Sequence, residues 1–297
     1  DIRQTGSDLK SFCEGKNIFQ FDIDKTEVGV RVKPEKSFIT SISSLENALR
    51  NLYKEKPFLK LKISEHDLWR NHIKKLKDKF PTKKEYLAKL NEINPITFLN
   101  NLSKAINSSS IFVTDVGQHQ MWAAQTLQFR EGDRFITSGG MGAMGFGLPA
   151  AIGCAFASSK KSVYLISGDG SFQLNIQELE TLKRNKLNVK IVLFNNSCHG
   201  MVRQFQESYF KDNLQSTVVG YSAPSFSKIA KAYGLNSLKL TNKGLEKKAI
   251  EWLLLSNGPS LLEVEISKDS KVYPKLAFGR KFGEMEPEVD PISMEST

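Results

Sequence analysis

From Pro95 onward, short apolar runs rich in strand-forming residues alternate with stretches of helical spacing, and this alternation limits the fold more than any other feature. The apolar runs fall at residues 111–115, 162–167, 189–194 and 260–266, with helical stretches at 96–106 and 176–183. Near-continuous apolar strands are covered on both faces, and helices between them act as the crossovers that keep such strands parallel. The expected fold is α/β, a doubly wound, mostly parallel sheet. Ligands of such sheets bind at the carboxyl ends of strands. The residues that follow each apolar run are therefore where chemistry is to be sought.

Ahead of Pro95 the pattern changes. Residues 18–24 alternate and read as a strand ending in acidic residues. Residues 45–61 have helical spacing. Trp69, Ile73, Leu76 and Phe80 then recur at three- and four-residue intervals on a Lys-rich helix that Pro81 should stop. This single apolar stripe is expected to pack on a neighbouring domain, which places a domain boundary between 66 and 94.

The 297 residues carry a formal charge of +10, a nucleic-acid signal if it lined a binding face. Residues 51–90 hold twelve Lys and Arg against five Asp and Glu, so most of the excess lies in one solvated stretch. That stretch presents neither a clear aromatic stacking face nor a recognition helix, and no nucleic-acid partner is expected. No run approaches the roughly 18 apolar residues of a membrane span, and Asp1-Ile2-Arg3-Gln4 does not open a secretory signal. Cys13, Cys154 and Cys198 form no CxxC pair, which argues against a disulfide framework. A cytoplasmic location is expected, and the missing initiator Met suggests processing or a piece of a longer chain.

The second and third apolar runs end in Gly168-Asp169-Gly170-Ser171 and in Asn195-Asn196-Ser197-Cys198-His199-Gly200. On adjacent strands, a carboxylate and a carboxamide oxygen would converge. That pairing suits a hard cation such as Mg²⁺, which keeps oxygen positions for a phosphate. Glycines beside Asp169 allow close backbone approach, and Ser171 lies near the positive end of the next helix. Residues 140–145 also satisfy GxGxxG, the dinucleotide fingerprint. Their lead-in, 135–138, is short, and the nearest acid, Asp169, belongs to the other motif. No NAD site is expected.

A GDG, 24 intervening residues and an NN at a strand end resemble the signature of thiamine diphosphate-dependent enzymes. The segments 117–125, 137–151 and 168–179 narrow the resemblance to the acetolactate synthase large (catalytic) subunit and acetolactate synthase-like proteins. It extends over nearly the whole chain and is strongest between 111 and 206. The resemblance implies that Asp169, the Asn196 side chain and the Cys198 carbonyl hold Mg²⁺ against the cofactor's diphosphate. Gly170, Ser171, His199, Gly200 and Met201 would contact the diphosphate, with Gln118 and His119 nearby. Gly142 would accept from the aminopyrimidine amine. Met144 would be the apolar wedge that bends thiamine diphosphate so that this amine can take the C2 proton.

The resemblance further implies the carboxyl-terminal half of a longer enzyme. Residues 1–65 would be a remnant of a central α/β domain, 66–94 a basic helical linker, 95–290 the diphosphate-binding domain and 291–297 a tail. The implied activity is decarboxylation of a 2-oxo acid, pyruvate, and carboligation of its acyl unit to a second carbonyl. FAD is a family option whose main contacts come from the incomplete central domain. A homodimer or homotetramer is implied, and a regulatory subunit is left open. No residue here matches the glutamate that activates the cofactor, so no catalytic residue is assigned and the chain alone is expected to be inactive. Two positions depart from the pattern. His199 replaces an apolar residue, and Phe205 stands where acetolactate synthases carry a substrate-lining tryptophan. The tail, 272–287, looks more like proteins of surface-polysaccharide synthesis, which makes a keto sugar an alternative acceptor. A 2-oxo acid decarboxylase or oxidase is a further alternative.

Overall fold

The computed structural model describes residues 5–6, 8–10, 12–55, 65–79, 92–158, 160–276 and 285–286. They fall into two units, one within 1–81 and 273–297, the other within 82–272. In the first unit, β1 (Phe19–Asp22) pairs in parallel with β2 (Lys36–Ile39), so the strand expected at 18–24 is present. The helix expected over 45–61 begins earlier, as α1 (Ile42–Glu55), and residues 56–64 lie outside the described set. The Lys-rich helix is α2 (Glu65–Lys79), where Trp69 stacks on His72 yet stays 52% exposed. Phe80 and Pro81 lie outside the described residues.

The second unit opens with α3 (Pro95–Ala105). Proline at the first helical position loses no hydrogen bond there, and the Asn94 side chain accepts from Ile96 N–H (2.9 Å) and Thr97 N–H (3.0 Å). Next come β3 (Ile111–Thr114), α4 (Gln118–Thr126), β4 (Arg134–Thr137), α5 (Gly147–Ala157) and β5 (Val163–Gly168). Two short helices, α6 (Asp169–Gln173) and α7 (Leu179–Arg184), cross to β6 (Val189–Asn195). The chain continues through α8 (Gly200–Tyr209), α9 (Phe226–Ala232), β7 (Asn236–Leu240), α10 (Glu246–Leu255) and β8 (Ser260–Glu265). The strands β3 to β8 form a six-stranded sheet of order β4-β3-β5-β6-β8-β7, parallel at every pairing.

Alternate residues of each central strand feed opposite cores, as a period of two requires. On one face Tyr164, Ile166, Val192 and Phe194 pack with α3, α4 and α10; on the other, Val163, Leu165, Ile191 and Leu193 pack with α5, α7 and α9. This is the doubly wound α/β arrangement expected from the sequence.

Three local expectations need correction. Residues 135–137 of the short lead-in belong to a true strand, β4, which is only partly buried because it lies at the sheet edge. A second edge strand, β7, was not anticipated, since its sequence Asn-Ser-Leu-Lys-Leu has no apolar run. The helix expected over 176–183 starts as a 3₁₀ turn, Ile176–Glu178, before α7. Although β4, the Gly-rich loop and α5 have the strand–loop–helix order of a dinucleotide fingerprint, α5 leads to β5, which pairs with β3 and not with β4. The adjacent-strand βαβ unit that the fingerprint needs is therefore absent at this loop.

Candidate functional site

After β3 the chain turns outward to β4, then crosses back to β5 on the other side of β3. This reversal of strand order opens a crevice at the carboxyl ends, the position where open α/β sheets bind ligands. It contains a cavity of about 60 Å³. Because β5 and β6 pair in parallel with Gly168 opposite Phe194, Asp169 and the Asn195-Asn196 pair leave the sheet side by side. Asp169, Gly170 and Ser171 line the cleft from β5, and Asn196, Cys198, His199, Gly200 and Met201 from the loop after β6. Gln118 and His119 enter on α4, and Met144 reaches in from the Gly-rich loop.

Gly142 and Phe205 are not among the lining residues. Gly142 has φ 68°, with open space where a Cβ would stand, so glycine serves the backbone turn there. Phe205 lies on α8 against Tyr209 (4.7 Å between ring centres) and Phe210 (5.9 Å), half-exposed.

Asp169 is buried; its Oδ1 accepts from Gly170 N–H at 2.9 Å, and its Oδ2 makes no hydrogen bond within 3.5 Å among the described residues. Burial pushes this carboxyl up to about 6, against backbone N–H groups and the nearby Tyr221 hydroxyl, which pull it down. The loop after β6 is held by Asn195. Its side-chain oxygen accepts from Ser197 N–H at 3.1 Å, and its amide donates to the buried Glu263 on β8 at 2.9 Å. Ser197 takes φ 51°, which turns the chain back towards the cleft. His199 packs edge-on to Tyr221 at 4.5 Å between ring centres and covers Gly170, where a Cβ would stand 2.6 Å from His199 Nδ1.

Residues 115–264 match the family described as thiamine pyrophosphate enzyme, C-terminal TPP binding domain. The chain belongs to the thiamine pyrophosphate enzyme family. It is 36% identical to the acetolactate synthase isozyme 2 large subunit of Escherichia coli K12 over 96% of this chain and 49% of that protein. It is 36% identical to the chloroplastic acetolactate synthase 2 of Nicotiana tabacum (98% and 44% covered) and 33% identical to the acetolactate synthase large subunit of Cyanidium caldarium (96% and 48%). The chain thus spans about half the length of the curated relatives it matches. A thiamine diphosphate-dependent 4-hydroxybenzoylformate decarboxylase of Rhodococcus jostii RHA1 shares the fold, with a TM-score of 0.66 at 19% identity over 87% of this chain and 45% of that one. No helix among the described residues is long and apolar enough to cross a membrane.

The cleft offers a donor set suited to a hard cation. Asp169 presents an unsatisfied buried oxygen, and its neighbours on the Asn196 loop offer neutral oxygens. Among the described residues no group of three or more His, Cys, Asp and Glu is placed to share a metal. Burial pushes the Cys198 thiol up to about 11, and its Sγ donates to the Lys268 carbonyl at 4.0 Å. Several donors are already satisfied within the protein. Gly200 N–H donates to the Cys198 carbonyl (3.0 Å), His199 N–H to the Thr217 carbonyl (3.0 Å) and the Ser171 hydroxyl to the Val116 carbonyl (2.6 Å).

Asp115 positions a loop of the site without lining the cleft, and sequence reasoning passed it over. Fully buried at the tip of β3, it accepts from Gly145 N–H (2.9 Å), Gly147 N–H (3.0 Å) and Val116 N–H (2.8 Å). From the other side, Asn175 donates to the Gly145 carbonyl at 2.8 Å. Together they clamp the loop that carries Met144. The only signal in the sequence was an acid directly after an apolar strand.

Proposed function

We propose that this polypeptide, as part of a longer enzyme, uses thiamine diphosphate and Mg²⁺ to decarboxylate a 2-oxo acid, pyruvate. The remaining acyl unit is joined to a second carbonyl compound, in the manner of an acetolactate synthase. The observation that carries the reading is the buried, unpartnered Asp169 Oδ2 beside the Asn196 loop; the names of the curated relatives support the substrate class. Asp169, the Asn196 carboxamide oxygen and the Cys198 carbonyl would hold the metal. Gly168 and Gly170 keep the backbone thin enough for His119 and His199 to pack over it. When bound, thiamine diphosphate supplies the carbanion that attacks the keto carbon and takes up the electrons left by CO₂.

The cavity between the Asp169 and Asn196 loops measures about 60 Å³. Met144 at the rim is 37% exposed and Met141 88% exposed, an apolar border suited to a second domain closing over the cofactor's rings. That domain would bring the activating carboxylate, and its supply by a partner subunit makes a homodimer or homotetramer the proposed assembly.

Calorimetric titration with thiamine diphosphate and Mg²⁺ tests the site. Heat of binding is expected for the wild type and none for Asp169→Ala; unchanged heat in the variant sinks the reading. Mass spectrometry of products from pyruvate then tests the reaction, with acetolactate expected. Acetaldehyde or acetate would select the decarboxylase or oxidase alternative. Consumption of pyruvate only after a keto sugar is added would select the acceptor of surface-polysaccharide synthesis.

A further inference from the structure

A metal ligand of the carboxamide type works only if its oxygen, not its NH₂, faces the ion. Asn196 is buried, and its amide nitrogen donates to Gln118 Oε1 at 3.3 Å. The Gln118 nitrogen donates to Gln204 Oε1 at 3.2 Å and to the Ser270 carbonyl at 3.0 Å. Gln204 in turn accepts from Val272 N–H at 2.9 Å and donates to the Val272 carbonyl at 3.0 Å.

Each step has only one permitted direction. Val272 N–H can only donate and Val272 C=O can only accept, so Gln204 must present its oxygen to the first and its nitrogen to the second. That oxygen, with the Ser270 carbonyl, obliges Gln118 to turn its nitrogen towards them. Gln118 Oε1 is then an acceptor, and it draws the Asn196 nitrogen to itself. The Asn196 oxygen is left for the cleft.

We propose that this one-way chain of amides, running from the 270–272 backbone through Gln204 and Gln118, fixes the metal-ready orientation of Asn196. Gln204 and Gln118 are thereby positioning residues for the cation. The inference rests on the metal site proposed above. It also accounts for Gly200: a Cβ there would lie 2.1 Å from Gln118 Oε1 and 2.7 Å from Asn196 Nδ2, in the middle of the relay. Gln204 is buried and is not among the residues lining the cleft, so altering it changes the relay without touching the cofactor.

The test uses Mn²⁺, whose free and bound forms are distinguished by electron paramagnetic resonance, titrated into the intact protein with thiamine diphosphate. Outer-shell partners of metal ligands are typically worth 10–100-fold in affinity. Gln204→Leu leaves the Ser270 carbonyl as the one remaining acceptor orienting Gln118, so it should weaken Mn²⁺ binding about tenfold, the low end of that range. Gln204→Glu keeps an acceptor for both Val272 N–H and Gln118, and should stay within about threefold of wild type. A merely structural role predicts the opposite ranking, because a buried carboxylate destabilises more than a leucine; thermal melts of both variants supply that reference. The relay is overturned if Gln204→Leu binds Mn²⁺ like wild type while Asp169→Ala has lost it, or if affinity follows thermal stability. Wild-type affinity in Asp169→Ala would instead remove the metal site itself. Should Gln204→Leu not fold, Gln204→Met, which keeps the side-chain length and removes both polar groups, is expected to weaken binding to a similar degree; unchanged affinity there overturns the relay equally.

Discussion

Two sets of parallel strands in this chain have different surroundings. In β5 and β6 every residue is buried, with helices on both faces. In β1 and β2 none is, and α1 beside them in sequence likewise buries nothing. Phe21 and Phe38 do meet across β1 and β2 at 4.9 Å, but that stack is open to solvent. Parallel pairing alone gives little stability; it persists where both faces are covered. The stability of the described residues therefore resides in the covered sheet, the region that also carries the cleft.

Emptying the core should cost far more than removing the open stack. Phe194 is buried on β6 and meets Phe98 (5.7 Å) and Trp122 (5.9 Å) edge-on. Phe194→Ala should lose about 3–5 kcal/mol of unfolding free energy. Phe38→Ala, removing only a solvent-exposed stack, should lose about 1 kcal/mol or less. Denaturant midpoints at constant slope report both. Comparable losses would show that β1 and β2 are as integral to the cooperative unit as the central sheet.

The chemistry at the tips of β5 and β6 was legible because it is local: a GDG and an NN each close an apolar run, and parallel pairing brings them together. The central strands were legible for the same reason. The edge strands β4 and β7 were not, since half-exposed strands mix polar and apolar residues and lose the run. Helix α4 was hidden by its buried face, which is partly polar: Gln118, His119 and Thr126 lie beside Trp122 and Ala123. Asp115 and Gln204 were hidden more deeply. Their partners lie about 30 and 68 residues away in sequence, and only the folded sheet defines those pairs.

A titration sharpens the contrast at intermediate size, because the covered region holds a histidine that folding keeps neutral. Burial pushes His119 down to about 3. As pH falls below about 6.5 the unfolded chain takes up a proton that the folded chain refuses. Stability attached to this group is therefore complete above that value and is lost progressively towards pH 3. At pH 5 the loss should reach about 2 kcal/mol. Asp169, pushed up to about 6, acts in the opposite sense and gains stability as pH falls. The difference between wild type and His119→Gln isolates the histidine. Stability measured at pH 7 and pH 5 should fall less in the variant, and identical falls would contradict a neutral buried His119.

The smallest effect asks whether one local motif is worth the same in both regions. Asn94 caps α3 by accepting from Ile96 N–H (2.9 Å) and Thr97 N–H (3.0 Å), and α3 carries Phe98, Leu99 and Leu102 into the core. Asp24 caps a single 3₁₀ turn in the first unit by accepting from Thr26 N–H at 2.8 Å, and that turn buries nothing. Removing an N-cap exposes helix N–H groups at about 1 kcal/mol where the helix is part of the cooperative structure. Asn94→Ala should therefore lower global stability by about that amount. Asp24→Ala should leave the global transition where it was, because a turn that contributes no core can open without unfolding the sheet. Should Asp24→Ala move the transition as far as Asn94→Ala does, the first unit would share the sheet's cooperativity, and coverage of both faces would not be what separates the two sets of strands.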